Sequence, residues 1–253
     1  MKVITVATQK GGVGKTTSTL NIGVGLAARN KKVLLIDMDP QRNLSTIYSD
    51  YSNEDEYTMV DVYNPSKNVT LDDIIVKINE YLYIAKSSVL LVGTEKGNQS
   101  GDEWILSENI ENMKSQFDYI LIDTPPLNGF LTTSALLAAT DIIIPIEADL
   151  FSYQGAGDFL TSVEKIKKRN NPNLNVLGLI ITRFKKQTNS GRQMAGAYQN
   201  LCIEQGTKIL GIVPDSVGVK DAQLALKDVF SYDEKCNGAQ AYKQIVNKIL
   251  KES

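Results

Sequence analysis

Histidine is missing from the 253 residues, and cysteine is found only at Cys202 and Cys236. Without histidine, the chain cannot form a Ser-His-Asp triad or a His-ligated zinc site. The two cysteines are far apart and form no CxxC pair, so the sequence predicts neither a disulfide framework nor a cysteine-rich metal centre. This cysteine usage is typical of a protein from a reducing compartment.

The sequence also has no long apolar run and no excess of one charge. No apolar segment approaches the roughly 20 residues that cross a bilayer, and the run 3–7 meets glycines too soon to be the apolar part of a signal peptide. The 27 basic and 29 acidic residues nearly cancel, so contact with nucleic acid would need a local basic patch. We expect a soluble, cytoplasmic protein.

Short runs of β-branched residues recur along the chain, with longer segments of helical character between most of them. The runs lie at 3–7, 33–37, 89–92, 119–122, 142–146, 176–182 and 209–213. This alternation predicts an α/β fold with a doubly wound, mostly parallel sheet and helices on both faces. We expect one domain over residues 1–253, with residues 48–86 as a peripheral excursion.

The C-terminal segment has apolar residues at helical spacing and lysines on the other faces, so we expect one amphipathic helix there. Its apolar stripe consists of Tyr242, Ile245, Val246, Ile249 and Leu250.

A glycine-rich turn follows the first predicted strand and precedes a helix that starts near Lys15. Gly11, Gly12 and Gly14 lack a Cβ atom, so the backbone can direct successive N–H groups at phosphate oxygens, next to the positive end of the helix. Lys15 adds a positive charge at the β- and γ-phosphates, and the Thr16 hydroxyl can coordinate Mg²⁺. The motif predicts a nucleotide site formed by Lys10, Gly11, Gly12, Val13, Gly14, Lys15, Thr16 and Thr17.

This loop, KGGVGKTT, matches at every position the deviant Walker A loop KGGxGK[ST] of the ParA/MinD family of ATPases, which the chain resembles. The generic P-loop has glycine at the position of Gln9, and the family instead has an additional lysine, here Lys10. In that family, this lysine reaches across a nucleotide-sandwich dimer to the phosphates bound by the partner. The resemblance implies a P-loop NTPase fold, with ATP and Mg²⁺ as cofactors.

A pair of carboxylates follows the second predicted strand, at the edge where open α/β sheets bind ligands. The segment D-M-D-P-Q that starts at Asp37 resembles a D-x-D-P-Q segment of the family. The resemblance implies that Asp39 positions or activates the attacking water and that Asp37 belongs to a hydrogen-bond network near the metal. Arg42 stands where many members have glycine. The residues with implied catalytic roles are Lys10, Lys15 and Asp39.

The segment D-T-P-P that starts at Asp123 resembles the Walker B ending of the family. It implies that Asp123, through water, and Thr16 hold Mg²⁺. The last two predicted strands resemble family strands that end beside the adenine, which makes Thr182 and Pro214 expected neighbours of the base.

The residues around the loop indicate the ParA (Soj-like) branch. MinD-type sequences usually have glycine at the position of Gln9 and a basic amphipathic tail beyond the fold. The nitrogenase iron-protein branch needs a cysteine pair for its cluster, and neither Cys202 nor Cys236 lies near a suitable loop.

This resemblance implies a partition ATPase for plasmid or chromosomal DNA. Such a protein dimerises with ATP, binds DNA without sequence preference, and hydrolyses ATP weakly until a ParB-like partner stimulates it. A nucleoid-associated location follows if it binds DNA. Two alternatives stay open: a MinD-like positioning ATPase recruited to a membrane or protein scaffold, and a metabolic P-loop transferase.

Basic residues after the sixth predicted strand are candidates for contact with DNA phosphates, because such contacts supply affinity without sequence preference. The candidates are Lys185, Lys186 and Arg192, with Lys220 as a further one. A second basic cluster lies at 167–169. A solvated surface remains the alternative for both clusters.

Two positions depart from the DNA-binding pattern of the family. Asp215 and Gly218 stand where many ParA proteins have basic residues. No extension precedes the first predicted strand, so we expect no helix-turn-helix domain for operator binding.

Overall fold

The structure is a computed structural model that describes residues 1–49, 57–126 and 129–252, and these residues include an eight-stranded sheet. The strands are β1 Lys2–Val6, β2 Val33–Asp37, β3 Ile75–Lys77, β4 Leu82–Ala85, β5 Tyr119–Asp123, β6 Asp141–Glu147, β7 Asn175–Phe184 and β8 Ile209–Pro214. Their order across the sheet is β3-β4-β2-β5-β1-β6-β7-β8. β3 runs antiparallel to β4, and the neighbouring strands from β4 to β8 pair in parallel.

The α-helices connect these strands and cover both faces of the sheet. They are α1 Lys15–Ala27, α2 Asn43–Ile47, α3 Met59–Val62, α4 Leu91–Gly97, α5 Ile105–Asn112, α6 Phe130–Ala138, α7 Leu150–Arg169, α8 Asn189–Glu204, α9 Val217–Leu224, α10 Val229–Asp233 and α11 Asn237–Lys251. Short 3₁₀ helices cover Leu71–Ile74 and Asp102–Trp104.

The central strands are apolar at consecutive positions because both of their faces are covered. Every residue of β2 and β5 is buried. Leu35 packs in a cluster with side chains of α1 and α11, whereas Leu34 and Ile36 pack on the opposite face with side chains of α5 and α6. The predicted doubly wound sheet is therefore confirmed.

The strand register aligns the carboxyl ends of β1, β2 and β5 at one edge of the sheet. In the parallel ladder, Asp123 at the end of β5 pairs with Val6 of β1 on one side and with Asp37 of β2 on the other. Two carboxylates thus stand side by side next to the point where β1 enters the glycine-rich loop.

The predicted C-terminal helix is α11, and its apolar stripe belongs to the core. Tyr242, Ile245, Val246 and Ile249 are at most 1% exposed, and Leu250 packs beside them. None of the helices in the described segments combines the length and the apolar character that a bilayer crossing needs.

The prediction of a strand at 89–92 is wrong. Val89 and Leu90 lie in a turn, where the Leu91 amide donates to Ser88 O at 3.0 Å, and α4 starts at Leu91. Val89, Leu90 and Val92 are 56%, 67% and 49% exposed. A run of apolar residues without a neighbouring strand gains nothing from extended structure, and local turn hydrogen bonds determine its conformation instead.

The segment before this run contributes two strands that its weak pattern did not predict. β4 has four residues and pairs in parallel with β2, and β3 has three residues and forms the edge of the sheet. Strands this short offer too few positions for a recognisable pattern. Residues 50–56 of the predicted excursion lie outside the described residues.

Candidate nucleotide site

The glycine-rich loop has the backbone conformation that its composition predicts. Gly12 and Gly14 have φ angles of +75° and +89°, in the left-handed region that side chains with a Cβ rarely adopt. Gly14 is the N-cap of α1, and its carbonyl accepts the Ser18 N–H at 2.9 Å. The loop therefore leads directly into the N-terminus of a 13-residue helix, where free N–H groups favour an anion.

Thr182 holds the loop against the sheet. Its hydroxyl lies 2.8 Å from Val13 O and 3.0 Å from Ile146 O, and its methyl group faces Gly14. Thr182 thus bridges the loop and β6. Pro214 lines a small cavity of about 30 Å³ that Thr182 also lines.

A cleft of about 380 Å³ opens over the loop, large enough for a small-molecule ligand. Polar residues of the loop and of the segment after β2 line one side, and a wall that sequence reasoning missed lines the other. The wall consists of Arg183 from β7, with Val219, Ala222, Gln223, Leu226 and Lys227 from α9 and the residues after it. The Gln223 amide also hydrogen-bonds to the Thr17 hydroxyl, so α9 is tied to the first turn of α1.

Lys15 is largely enclosed at the floor of this cleft. The residue is 7% exposed, and its Nζ atom lies 3.5 Å from Lys10 O. Burial lowers the pKa of Lys15, against the raising effect of Asp123 and Asp39. An ammonium group with so little water around it is suited to a strong interaction with a phosphate anion.

Asp123 is fully buried beneath Thr16. It accepts a hydrogen bond from the Thr16 hydroxyl, and Thr19 Oγ1 lies 3.5 Å from its Oδ1 atom. Among the described residues, its Oδ2 atom has no hydrogen-bond partner. Burial and the charge of Asp37 raise the pKa of Asp123 well above its ordinary value.

These features fit Mg²⁺. An unpaired buried carboxylate oxygen next to a threonine hydroxyl offers the hard oxygen donors that this ion prefers, and a cation would relieve the repulsion between the adjacent carboxylates. No group of three or more His, Cys, Asp or Glu ligands occurs in the described segments. Water and phosphate oxygens would therefore complete the coordination of the ion.

Asp37 organises the segment after β2. Its Oδ2 atom accepts the Ser45 N–H at 2.8 Å and the Ser45 hydroxyl at 2.7 Å, and its Oδ1 atom accepts the Asp39 N–H at 3.0 Å. Burial raises the pKa of Asp37 to about 6, against these hydrogen bonds. Ser45 in turn accepts the Ser87 N–H at 2.8 Å, and the Ser87 hydroxyl donates to Asp39 O at 2.8 Å.

The segment ordered in this way presents Asp39 to the cleft. Asp39 is 5% exposed and its Oδ1 atom accepts the Gln41 N–H at 2.9 Å. Sequence reasoning missed Ser45 and Ser87, which lie outside the motif. Arg42, at the position that glycine often occupies in the family, has a φ of +58°.

Lys10 points away from the cleft over its own loop, towards the N-terminus of α7. Its Nζ atom lies 2.8 Å from Asp149 Oδ2, 3.0 Å from Ser152 Oγ and 3.5 Å from Glu147 Oε2. Burial lowers the pKa of Lys10, but Asp149 and Glu147 outweigh it, so the net shift is upward. Glu147 also accepts Arg183 Nη1 at 2.8 Å, so it joins the loop lysine to a residue that lines the cleft.

The residues predicted to contact DNA make up the candidate basic face, namely Lys185, Lys186, Arg192 and Lys220. The structure brings Lys185 and Lys220 together. Asp215 contacts both, at 3.9 Å from Lys185 Nζ and 2.6 Å from Lys220 Nζ. Lys186, in the turn before α8, and Arg192, in its first turn, are both exposed. The cluster 167–169 occupies the last turn of α7, at the opposite end of this helix from Lys10. Basic residues at a helix C-terminus interact favourably with the helix dipole.

Comparison with known proteins agrees with this geometry. A family model described as an AAA domain matches residues 1–176. The chain is 31% identical to the chromosome partitioning protein ParA of Caulobacter vibrioides, over 99% of this chain and 94% of that protein. It is 30% identical to the sporulation initiation inhibitor protein Soj of Bacillus subtilis, over 98% of each. The chain belongs to the ParA/MinD family of P-loop ATPases.

Solved structures extend the match to three dimensions. A putative plasmid partition protein of Borrelia burgdorferi, bound to AMPPNP, has a TM-score of 0.82 and 26% identity over 100% of this chain and 99% of its own. The cobyrinic acid a,c-diamide synthase of Mycobacterium smegmatis, with bound ADP and magnesium, has a TM-score of 0.80 and 26% identity over 100% and 95% of the two chains.

Proposed function

We propose that this ParA/MinD-family chain is a ParA-type partition ATPase. As one ATPase domain, it binds ATP and Mg²⁺, pairs with a second copy across the two nucleotides, and then binds duplex DNA without sequence preference. A ParB-like partner stimulates its otherwise weak hydrolysis of ATP, which releases the DNA. Partition proteins among its relatives and neighbours support this proposal.

One observation carries the dimer proposal: Lys10 and Lys15 lie in the same loop but point to different places. Lys15 is enclosed in the cleft of its own chain, whereas the Lys10 side chain is 39% exposed and directed towards α7. Lys10 therefore does not serve the nucleotide of its own chain in this conformation. Once it leaves Asp149 of its own chain, this ammonium on the rim of the loop can serve a nucleotide bound by a second copy.

The residues of the cleft have separate roles in the proposed reaction. The loop N–H groups and Lys15 bind the phosphates, and Thr182 keeps the loop in the required conformation. Asp39 accepts a hydrogen bond from the attacking water and aligns it with the γ-phosphate. Thr16 and, through water, Asp123 would hold Mg²⁺, which would supply positive charge to the phosphate oxygens. Lys10 of the second copy adds charge stabilisation as the phosphate leaves.

The test combines sedimentation with DNA binding. With ATP and Mg²⁺, the wild-type chain should sediment as a dimer and retard arbitrary duplex DNA at low salt. Lys15→Ala should abolish nucleotide binding and both later steps, whereas Lys10→Ala should retain nucleotide binding and lose the dimer. A wild-type dimer that leaves DNA unbound would refute the DNA role, and an unchanged ATP-dimer of Lys10→Ala would refute the cross-subunit role.

The main alternative is a MinD-like positioning ATPase recruited to a membrane. The burial of the α11 stripe argues against it, because Tyr242, Ile245 and Val246 are not available to enter lipid. ATP-dependent co-sedimentation with phosphatidylserine vesicles, without DNA binding, would favour this alternative over partition.

A further inference from the structure

Asp215 carries a negative charge into the centre of the candidate basic face. It follows directly after β8, and its backbone N–H donates to Phe184 O at 3.0 Å, which fixes it beside the end of β7. Its Oδ1 atom lies 2.6 Å from Lys220 Nζ, and its Oδ2 atom lies 3.9 Å from Lys185 Nζ. One carboxylate therefore faces two ammonium groups that come from different segments of the chain.

The two lysines remain accessible to an external anion. Their side chains are 65% and 54% exposed for Lys185 and Lys220, whereas that of Asp215 is 24% exposed. The hydrogen bond and charge of Lys220, with the charge of Lys185, lower the pKa of Asp215, so the carboxylate is ionised at neutral pH. Half-exposed ion pairs of this kind are weak and open readily.

We infer that Asp215 is an internal competitor of DNA phosphates for Lys185 and Lys220, and that it limits the DNA affinity of the ATP-bound dimer. This inference rests on the proposed DNA-binding function. A lysine that neutralises a phosphate releases a cation condensed on the DNA, and this release drives binding. A carboxylate that stays beside the two lysines offsets their charge, so it reduces the gain at both.

The position of the pair also places it next to the nucleotide. Lys220 belongs to α9, and the neighbouring residues Val219 and Gln223 line the cleft. Asp215 and Lys220 both line the small cavity beside Thr182, which holds the phosphate loop. The competitor thus lies just before α9, beside the wall of the cleft.

The test is Asp215→Asn, which removes the charge and keeps an oxygen that accepts from Lys220. Binding of a fluorescent duplex would be followed by anisotropy with ATP and Mg²⁺ over a series of salt concentrations. We expect a roughly three- to tenfold higher affinity at low salt, and a slope of log K against log salt that is steeper by about one. Unchanged affinity and slope in Asp215→Asn would overturn the inference.

Two controls distinguish a local effect from a general gain of charge. Glu111→Gln removes the same charge as Asp215→Asn, but at an exposed position of α5 on the other half of the sheet. It should leave the DNA affinity nearly unchanged. In a background of Lys185→Met and Lys220→Met, Asp215→Asn should have little effect, because no lysines remain to be released. An equal gain in that background, or an equal gain from Glu111→Gln, would contradict direct competition.

Nucleotide binding and thermal unfolding of each variant establish that it is folded, and Asp215→Thr serves as a second neutral variant. Failure of the inference differs from failure of the proposed function. If the wild-type dimer binds DNA as tightly as the Asp215→Asn dimer, only the competition by Asp215 is overturned. If neither protein binds DNA at low salt, the partition role fails as well. A gain for phosphatidylserine vesicles without a gain for DNA would assign the basic face to membrane and overturn the inference.

Discussion

The Nζ atom of Lys10 lies 2.8 Å from Asp149 Oδ2, so the lysine that is proposed to serve a second subunit is held by a carboxylate of its own chain. Asp149 is the N-cap of α7 and accepts the Ser152 N–H at 3.0 Å, and Ser152 also contacts Lys10. Dimerisation would have to separate this pair. The Lys10–Asp149 ion pair stabilises the monomer and therefore opposes the formation of the ATP-dimer.

Asp149→Asn should promote the ATP-dimer. Asparagine is an equally good N-cap but has no charge for Lys10, so the monomer loses part of the interaction that competes with the partner. Because a half-exposed ion pair contributes about 1 kcal/mol or less and each of the two protomers loses one pair, the dimer dissociation constant should fall by up to roughly thirtyfold. Sedimentation with ATP and Mg²⁺ measures it, and Asp158→Asn, at an exposed position of α7, is the matched control. A weaker dimer would show that the contact supports assembly instead.

Replacement of Asp39 should separate nucleotide binding from hydrolysis. Asp39→Asn keeps the oxygen that accepts the Gln41 N–H, so the segment after β2 should stay ordered, while the other carboxylate oxygen, which could accept from the attacking water, becomes an NH₂ donor. We expect ATP binding and dimerisation to persist and hydrolysis to fall by roughly two orders of magnitude. Phosphate release under single-turnover conditions is the measurement. Asp39→Ala should slow the reaction at least as much, and a wild-type rate in either variant would exclude Asp39 from catalysis.

Ser45→Ala should destabilise the protein through two neighbours at once. The change leaves Asp37 without its hydroxyl donor and the buried Ser87 N–H without an acceptor. A buried polar group left unsatisfied costs about 1 to 3 kcal/mol, so we expect a loss of about 2 kcal/mol in the free energy of unfolding, measured with urea. Ser49→Ala removes only a hydrogen bond to the Ser45 carbonyl and should cost less than half as much. Equal losses would mean that the Asp37 network contributes little.

The parts of the site that depend on neighbouring residues could be predicted from the sequence. The glycines, Lys15 and Thr16 lie within one turn and one helix start, and Asp37 and Asp123 end two apolar strands of five residues. The contacts of Lys10 could not be predicted, because Asp149 comes from a helix about 140 residues later and belongs to no motif.

The same limit applies to the wall of the cleft and to the edge of the sheet. The α9 wall includes Val219 and Gln223, which occupy ordinary helical positions, and only the packing of α9 beside α1 brings them to the nucleotide. The apolar run 89–92 matched a strand by composition, but the sheet has β4 in that place, and Val89, Leu90 and Val92 of the run are exposed. Hydrophobic periodicity indicates which residues prefer burial, but it does not indicate which strand or helix is available to cover them.

Arg42→Gly should stabilise the protein, because Arg42 has a φ of +58° at the N-cap of α2. A left-handed conformation costs a residue with a Cβ atom about 1 to 2 kcal/mol, and glycine removes that cost while losing more entropy on folding. We expect a net gain of about 0.5 kcal/mol in the free energy of unfolding, measured with urea. Lys31→Gly is the matched control, because Lys31 is not among the left-handed residues of the described chain and should lose stability on this change. A loss of stability in Arg42→Gly as well would indicate that the arginine side chain makes contacts that outweigh the backbone strain.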